Sequence, residues 1–174
     1  MRTAIRGITV ILFLLPLIAM RFTDEVDWGL GDFLLFGALL AGVNVAYDFL
    51  ARRGSGLTYK TAAAVALAAA FLLVWLGLGV GIIGRDGDPA NGMYFGVIAA
   101  GAIGAVAGRF RPRGMARAML LAALVQVLVA VIALLAGFGG ETAHHPFDIL
   151  LLTAIFTALW ILSARLFRRA ANTT

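Results

Sequence analysis

Long apolar runs recur along the whole chain, and each is close to the length that a helix needs to cross a bilayer. Such a helix takes about 20 residues to cover roughly 30 Å of hydrocarbon. The runs do not alternate between polar and apolar residues, so they do not fit the strands of a membrane barrel. Charged residues make up only 13% of the 174 residues, against about a quarter in soluble domains. The sequence therefore predicts an all-α, multi-pass membrane protein.

Six membrane spans are predicted in a single transmembrane domain, 1–174. They run over approximately 7–22, 28–51, 59–84, 89–110, 115–138 and 146–167. They pair as three α-hairpins at approximately 1–58, 59–113 and 114–174. The first span is short and has the basic start of a signal peptide. We expect it to be retained as a helix, because Phe22 lengthens it and the flanking Arg6 and Arg21 can snorkel.

The basic residues predict the orientation, because Lys and Arg in short loops stay in the cytoplasm. With the N-terminus inside, only Arg21 and Arg85 of the 14 basic residues fall outside. The other twelve are Arg2, Arg6, Arg52, Arg53, Lys60, Arg109, Arg111, Arg113, Arg117, Arg165, Arg168 and Arg169. Both termini are therefore predicted to be cytoplasmic. Since membrane topology accounts for these positions, no nucleic-acid partner is predicted.

Eight of the nine acidic residues fall on the opposite, outer face of this topology. Six of them, in the first and second outer loops, are candidate cation-binding residues: Asp24, Glu25, Asp27, Asp32, Asp86 and Asp88. Acidic groups at the mouth of a pathway concentrate cations there. The alternative is structural, because Asp27 and Asp88 can cap helices and others can pair with Arg21 or Arg85.

The last outer loop holds weak candidates for a metal site, Glu141, His144, His145 and Asp148. Adjacent histidines tend to point apart, and the chain has no H-x-x-x-H spacing. The absence of cysteine excludes thiolate ligands. No cofactor is therefore predicted, although a divalent cation stays open. No catalytic residue is predicted either, because Ser163 and the histidines fall at opposite ends of the spans.

Polar residues inside the spans are few, and they are the candidates for a polar path through the membrane. They are Asn44, Asp48, Gln126, Thr153 and Thr157. The alternatives are an interfacial ion pair of Asp48 with Arg52 or Lys60, and hydrogen bonds between helices for Gln126 and the two threonines.

Small residues at four-residue intervals in the fourth span predict a close helix contact. They are Gly92, Gly96, Ala100, Gly104 and Gly108. Close packing of small residues drives helix association in lipid, which is as apolar as leucine. We favour a contact within the chain, with a homo-oligomer or another membrane protein as the alternative.

The stretches RFTDEVDW, GIIGRDGDPANGMYFG and RFRPRGMARA together resemble a group of small bacterial multi-spanning membrane proteins that have no assigned activity. The resemblance extends over most of the chain, but GETAHHPFD lies outside it. It implies location in the bacterial inner (plasma) membrane, and it supplies no catalytic or binding residue.

The sequence thus favours a small transporter or channel-like protein for a cation or small cationic solute, with an acidic outer mouth. The first alternative is a non-enzymatic accessory or scaffold subunit that binds another membrane protein. The second is a metal-dependent membrane enzyme. In each case the predicted surroundings are the lipid bilayer.

Overall fold

The structure, a computed structural model, describes residues 2–23, 27–54, 56–79, 81–83, 89–138 and 146–173. In these ranges it contains six α-helices, one 3-10 turn and no strand, which confirms the all-α prediction. The helices are α1 Arg2–Ala19, α2 Leu30–Arg53, α3 Leu57–Gly79, α4 Met93–Ala107, α5 Pro112–Leu135 and α6 Phe147–Asn172, and the 3-10 turn at Pro89–Gly92 leads into α4.

Five of these helices are long and apolar enough to cross a membrane, with mean hydropathies between 1.5 and 2.9 over their most apolar windows. They are α2, α3, α4 together with its 3-10 turn, α5 and α6. The apolar part of α1, Thr3–Ala19, is shorter. Six helices are thus confirmed, and five of them have the length and composition of spans. The hairpin pairing and the side of each terminus remain predictions.

The chain forms two compact units, Met1–Phe49 and Leu50–Thr174. In the first unit, aromatic side chains join α1 to α2. The ring of Phe13 stacks against Phe36, with centroids 6.5 Å apart, and meets the edge of Phe33 at 6.0 Å. Such pairs contribute roughly 0.5–1.5 kcal/mol to stability, in addition to the free energy gained from the apolar area that they bury.

In the second unit, α5 packs between α4 and α6, and α3 packs mainly against α6. The buried face of α5 is rich in alanine, which lets the neighbouring backbones approach closely. The buried alanines of α5 are Ala116, Ala118, Ala122, Ala123, Ala130 and Ala133. The hydroxyl of Ser163 on α6 donates to the Ala62 carbonyl on α3 at 2.9 Å, which fixes the register of that pair.

The turn between α4 and α5 is closed by two glycines in direct contact. A Cβ placed on Gly108 would lie 2.6 Å from the Cα of Gly114, closer than any side chain tolerates. Between them Arg109 and Phe110 take left-handed backbone angles, with φ of 51° and 56°, which are uncommon outside glycine. The buried Tyr59 hydroxyl donates to the Phe110 carbonyl at 2.8 Å and so holds this turn to the start of α3.

The small residues of α4 do not form the single contact face that the sequence predicts. Gly104 and Gly108 meet α5, whereas a Cβ on Gly92 or Gly96 would meet nothing within 4 Å. Four-residue steps advance by about 40° beyond a full turn of an α-helix, so such a row winds around it. Of these four glycines, the last two contact α5. A surface for a partner protein at Gly92 and Gly96 remains a prediction.

The described cations of the second unit gather at one end. The ring of Tyr59 packs against Phe167 at 5.1 Å, and its hydroxyl contacts the α4–α5 turn. These contacts bring together the start of α3, that turn and the last turns of α6. The cations at this end are Arg52, Arg53, Lys60, Arg109, Arg111, Arg113, Arg117, Arg165, Arg168 and Arg169. We call it the cationic end.

Candidate functional site

Five polar side chains of the second unit have buried N or O atoms with no hydrogen-bond partner in the part of the chain that the structure describes. They are Tyr94 on α4, Gln126 on α5, and Thr153, Thr157 and Trp160 on α6. Gln126 is fully buried, and both atoms of its amide lack a partner. We call these five residues the polar layer.

Two members of the polar layer lie at the same depth on neighbouring helices. Tyr94 lies fourteen residues before Gly108, and Gln126 lies fourteen residues after Pro112, on opposite sides of the α4–α5 turn. At 1.5 Å per residue, both are about 21 Å from that turn. Both side chains are buried, with 3% and 0% of their surface exposed.

The α6 members of the layer approach the same depth. Thr153 lies fourteen residues before Phe167, the residue that packs against Tyr59 at the cationic end. The hydroxyl of Tyr94 lies beside that of Thr153, although the two do not meet hydrogen-bond geometry. Thr157 and Trp160 follow about one and two turns closer to the cationic end.

Leaving these groups unpaired is costly. Each buried donor or acceptor without a partner costs about 1–3 kcal/mol, and native proteins keep few such groups. Threonine in a helix can bond back to the carbonyl four residues earlier, but neither Thr153 nor Thr157 does so among the described residues. The hydrogen bonds between helices that we expected for Gln126 and these threonines are not formed there either.

The chemistry of the layer is neutral and mixed. The hydroxyls of Tyr94, Thr153 and Thr157 can donate and accept, the Gln126 amide offers one acceptor and two donor hydrogens, and the Trp160 indole only donates. No carboxylate or ammonium group belongs to the layer. This set suits an uncharged solute with both donors and acceptors better than a bare cation, which N–H groups repel.

Asn44 and Asp48, the other predicted path residues, belong to the first unit. Asp48 forms an ion pair with Arg6 on α1 at 2.9 Å, whereas the sequence predicted Arg52 or Lys60 as its partner. The amide of Asn44 donates to the Thr9 hydroxyl at 2.8 Å and to the Leu40 carbonyl at 2.9 Å. Both residues therefore have structural roles in α1 and α2, and a polar path through them remains a prediction.

The predicted cation site falls largely outside the described residues. Four of its candidates lie there: Asp24, Glu25, Asp86 and Asp88. Asp27 is exposed and does not cap α2, because the helix begins three residues later, at Leu30. Asp32 in the first turn accepts the Gly29 N–H at 2.8 Å. Asp32 therefore has a structural role, and cation binding by this group of acids remains a prediction.

Three of the weak metal candidates, Glu141, His144 and His145, also lie outside the described residues. Asp148 lies in the first turn of α6, where a carboxylate is favourable to the helix dipole. Within the ranges that the structure describes, no three His, Cys, Asp or Glu side chains group so as to hold a metal ion.

Asn91, Tyr94 and Trp160 were not predicted from the sequence to have a functional or structural role. Asn91 is buried, and its Oδ1 accepts the N–H groups of Ile82 and Ile83 at 2.8 Å each. It thereby holds the segment that follows α3. Tyr94 and Trp160 count among the hydrophobic residues in the composition of the chain, yet each carries a polar atom that needs a partner when buried. The Tyr94 hydroxyl and the Trp160 indole N–H were therefore the features of the sequence that could have identified these two residues.

These observations define an all-helical, multi-pass membrane protein with a neutral polar layer buried in its second unit. The chain matches no protein-family model, no curated protein and no solved structure. Its location in a bacterial inner membrane remains a prediction from the sequence resemblance.

Proposed function

We propose that this protein is a small transporter or channel-like protein that passes a small, uncharged, hydrogen-bonding solute across the membrane at the polar layer. The observation that carries the proposal is the set of unpaired polar atoms that three neighbouring helices bury together. It changes the expected class of solute, because the acidic outer mouth in the sequence favoured a cation.

The position of the layer supports passage across the membrane. Gln126 lies fourteen residues into the 24-residue α5, close to the middle of a helix of span length. A polar solute that leaves water loses hydrogen bonds worth several kcal/mol in an apolar medium. Polar groups at mid-span restore part of that loss, and so they lower the barrier to crossing.

We place the path of the solute between α4 and α6, next to α5. α4 and α6 pack mainly against α5, and the Tyr94 side chain extends from α4 to the Thr153 hydroxyl on α6. In the proposed mechanism, rotation of the Tyr94 ring opens and closes access to Gln126. Tyr94 is therefore the proposed gate, and Gln126 is the polar residue to which it controls access.

The test is solute entry into liposomes that contain the full chain, followed by light scattering after an osmotic step. Glycerol and urea are the probes, and a potassium flux assay tests the cation alternative. Gln126→Leu should slow glycerol or urea entry about tenfold, as expected for the loss of one hydrogen bond of about 1.4 kcal/mol. The variant should unfold at the same or a higher temperature, because it replaces an unpaired amide by an apolar group of similar size.

Thr61→Val is the control, because the Thr61 hydroxyl lies outside the layer and is bonded to the Leu57 carbonyl at 3.0 Å. It should leave solute entry unchanged. Entry at the rate of protein-free liposomes, or equal rates for the wild type and Gln126→Leu, would refute the proposal. Potassium flux without glycerol or urea entry would mean that the transported solute is a cation and that the proposal is wrong.

A further inference from the structure

A groove of about 510 Å³ lies between the first turns of α3 and the last turns of α6. Its lining combines two kinds of surface. Leu57 and Leu166 form an apolar wall, and Thr58, Arg169 and Asn172 provide polar groups. A ligand that fits this groove therefore has an apolar part and a polar part.

Among the described residues, the charged side chains around the groove are all cationic. Arg169 is exposed, and it forms no ion pair with any residue in the described ranges. Lys60, Arg165 and Arg168 lie within about one turn of the lining residues. Asp148 is the one acid of the second unit that the structure describes, and it lies 21 residues before Arg169 on α6, about 31 Å away. The groove thus favours an anionic ligand.

The groove lies where lipid headgroups meet a membrane helix. α3 begins at Leu57 and has 23 residues, and α6 ends at Asn172 and has 26. These lengths are about 34 and 39 Å, against roughly 30 Å of hydrocarbon. Because charged side chains are costly in hydrocarbon, and Lys60, Arg165, Arg168 and Arg169 lie at this end of the helices, we place the turns that line the groove in the layer of phosphate groups.

We infer that the groove between α3 and α6 is a binding site for an anionic phospholipid. The headgroup phosphate binds Arg169, with Asn172 and the Thr58 hydroxyl as further donors. The acyl chains lie along Leu57 and Leu166. An arginine guanidinium suits this role because its planar donors match the oxygens of a phosphate. A zwitterionic lipid brings an ammonium group to the same cations and binds less tightly.

The test uses the full chain in mild detergent, titrated separately with phosphatidylglycerol, phosphatidylcholine and inorganic phosphate, with bound ligand counted by native mass spectrometry. Wild-type protein should retain phosphatidylglycerol in preference to phosphatidylcholine. Arg169→Gln should weaken phosphatidylglycerol binding about tenfold, because a charge-assisted hydrogen bond is lost. Arg165→Gln, one turn earlier on the same helix and outside the lining, should change it by less than about twofold.

Equal losses for the two variants would mean that the cationic end attracts anions without a site, and would overturn the inference. No preference for phosphatidylglycerol would do the same. If inorganic phosphate displaces the lipid at equal concentration, the groove binds free phosphate and the lipid assignment is wrong. Arg169 lies nine residues beyond Trp160, the nearest member of the polar layer on α6, which is about 14 Å along the helix. Its loss should therefore leave glycerol and urea entry unchanged, which separates this test from that of the proposed function.

Discussion

The contact of Gly108 with Gly114 makes the α4–α5 turn the place where one added methyl group should be most harmful. A Cβ on Gly108 would lie 2.6 Å from the Gly114 Cα and 2.9 Å from its carbonyl carbon. Both atoms belong to the backbone, so no side-chain rotation relieves the clash. The helices would have to separate by about 0.8 Å to restore an ordinary contact of 3.4 Å.

Such overpacking costs about 1–3 kcal/mol, and we expect Gly108→Ala to lower the unfolding free energy by about 2 kcal/mol. For a chain of this size that is a fall of roughly 4–8 °C in Tm. The assay is thermal unfolding in mild detergent, followed by circular dichroism. Gly96→Ala on α4 is the matched control, because its Cβ meets nothing within 4 Å. It should be neutral or stabilising by up to about 1 kcal/mol.

The difference in stability between the two alanine variants tests whether Gly108 and Gly114 are in close contact. If Gly108→Ala and Gly96→Ala unfold within about 0.5 kcal/mol of each other, the usual range for a harmless surface substitution, the close approach of the two glycines does not exist. The packing described for α4 and α5 would then be wrong at their shared turn.

Two further variants test single polar contacts. Tyr59→Phe keeps the ring but loses the hydrogen bond to the Phe110 carbonyl, so the unfolding free energy should fall by about 1 kcal/mol; an unchanged value in the same thermal assay would contradict that role. Asn91→Ala leaves two buried N–H groups unpaired, so we expect a loss of about 2 kcal/mol or more and faster amide exchange at 82–83 by mass spectrometry, with exposed Asn172→Ala unchanged in both.

The apolar runs of the sequence predicted some helices closely and others only in part. α5 was predicted over 115–138 and extends over Pro112–Leu135, with proline at its start, where its missing N–H costs nothing. The third span was predicted to continue to residue 84, but α3 ends at Gly79. Ile82 and Ile83 are nevertheless fully buried. Hydropathy reports how strongly a side chain prefers apolar surroundings. It therefore does not distinguish a helix from a buried turn such as the one that Asn91 holds.

The candidate site was predicted only in part, because composition identifies single polar residues but not how the helices align. Gln126, Thr153 and Thr157 are polar residues in apolar runs, so composition identifies them. That Gln126 and Thr153 share one depth with Tyr94 depends on how α4, α5 and α6 align. This alignment is set by contacts such as Tyr59 with Phe110 and Phe167, which join residues far apart in the chain. Periodicity within one helix contains no information about it.

The bond between Ser163 and Ala62 joins residues 101 positions apart, and this separation has a consequence for biosynthesis. A ribosome that adds about 5–20 residues per second needs roughly 5–20 s to reach Ser163 after Ala62. Throughout that interval α3, with a hydropathy of 2.3, has not yet met its main partner, α6. Lipid can cover α3 meanwhile, because it is as apolar as leucine. The second unit therefore closes only after its last helix has been made, and any chain that stops before α6 leaves α3 without that partner.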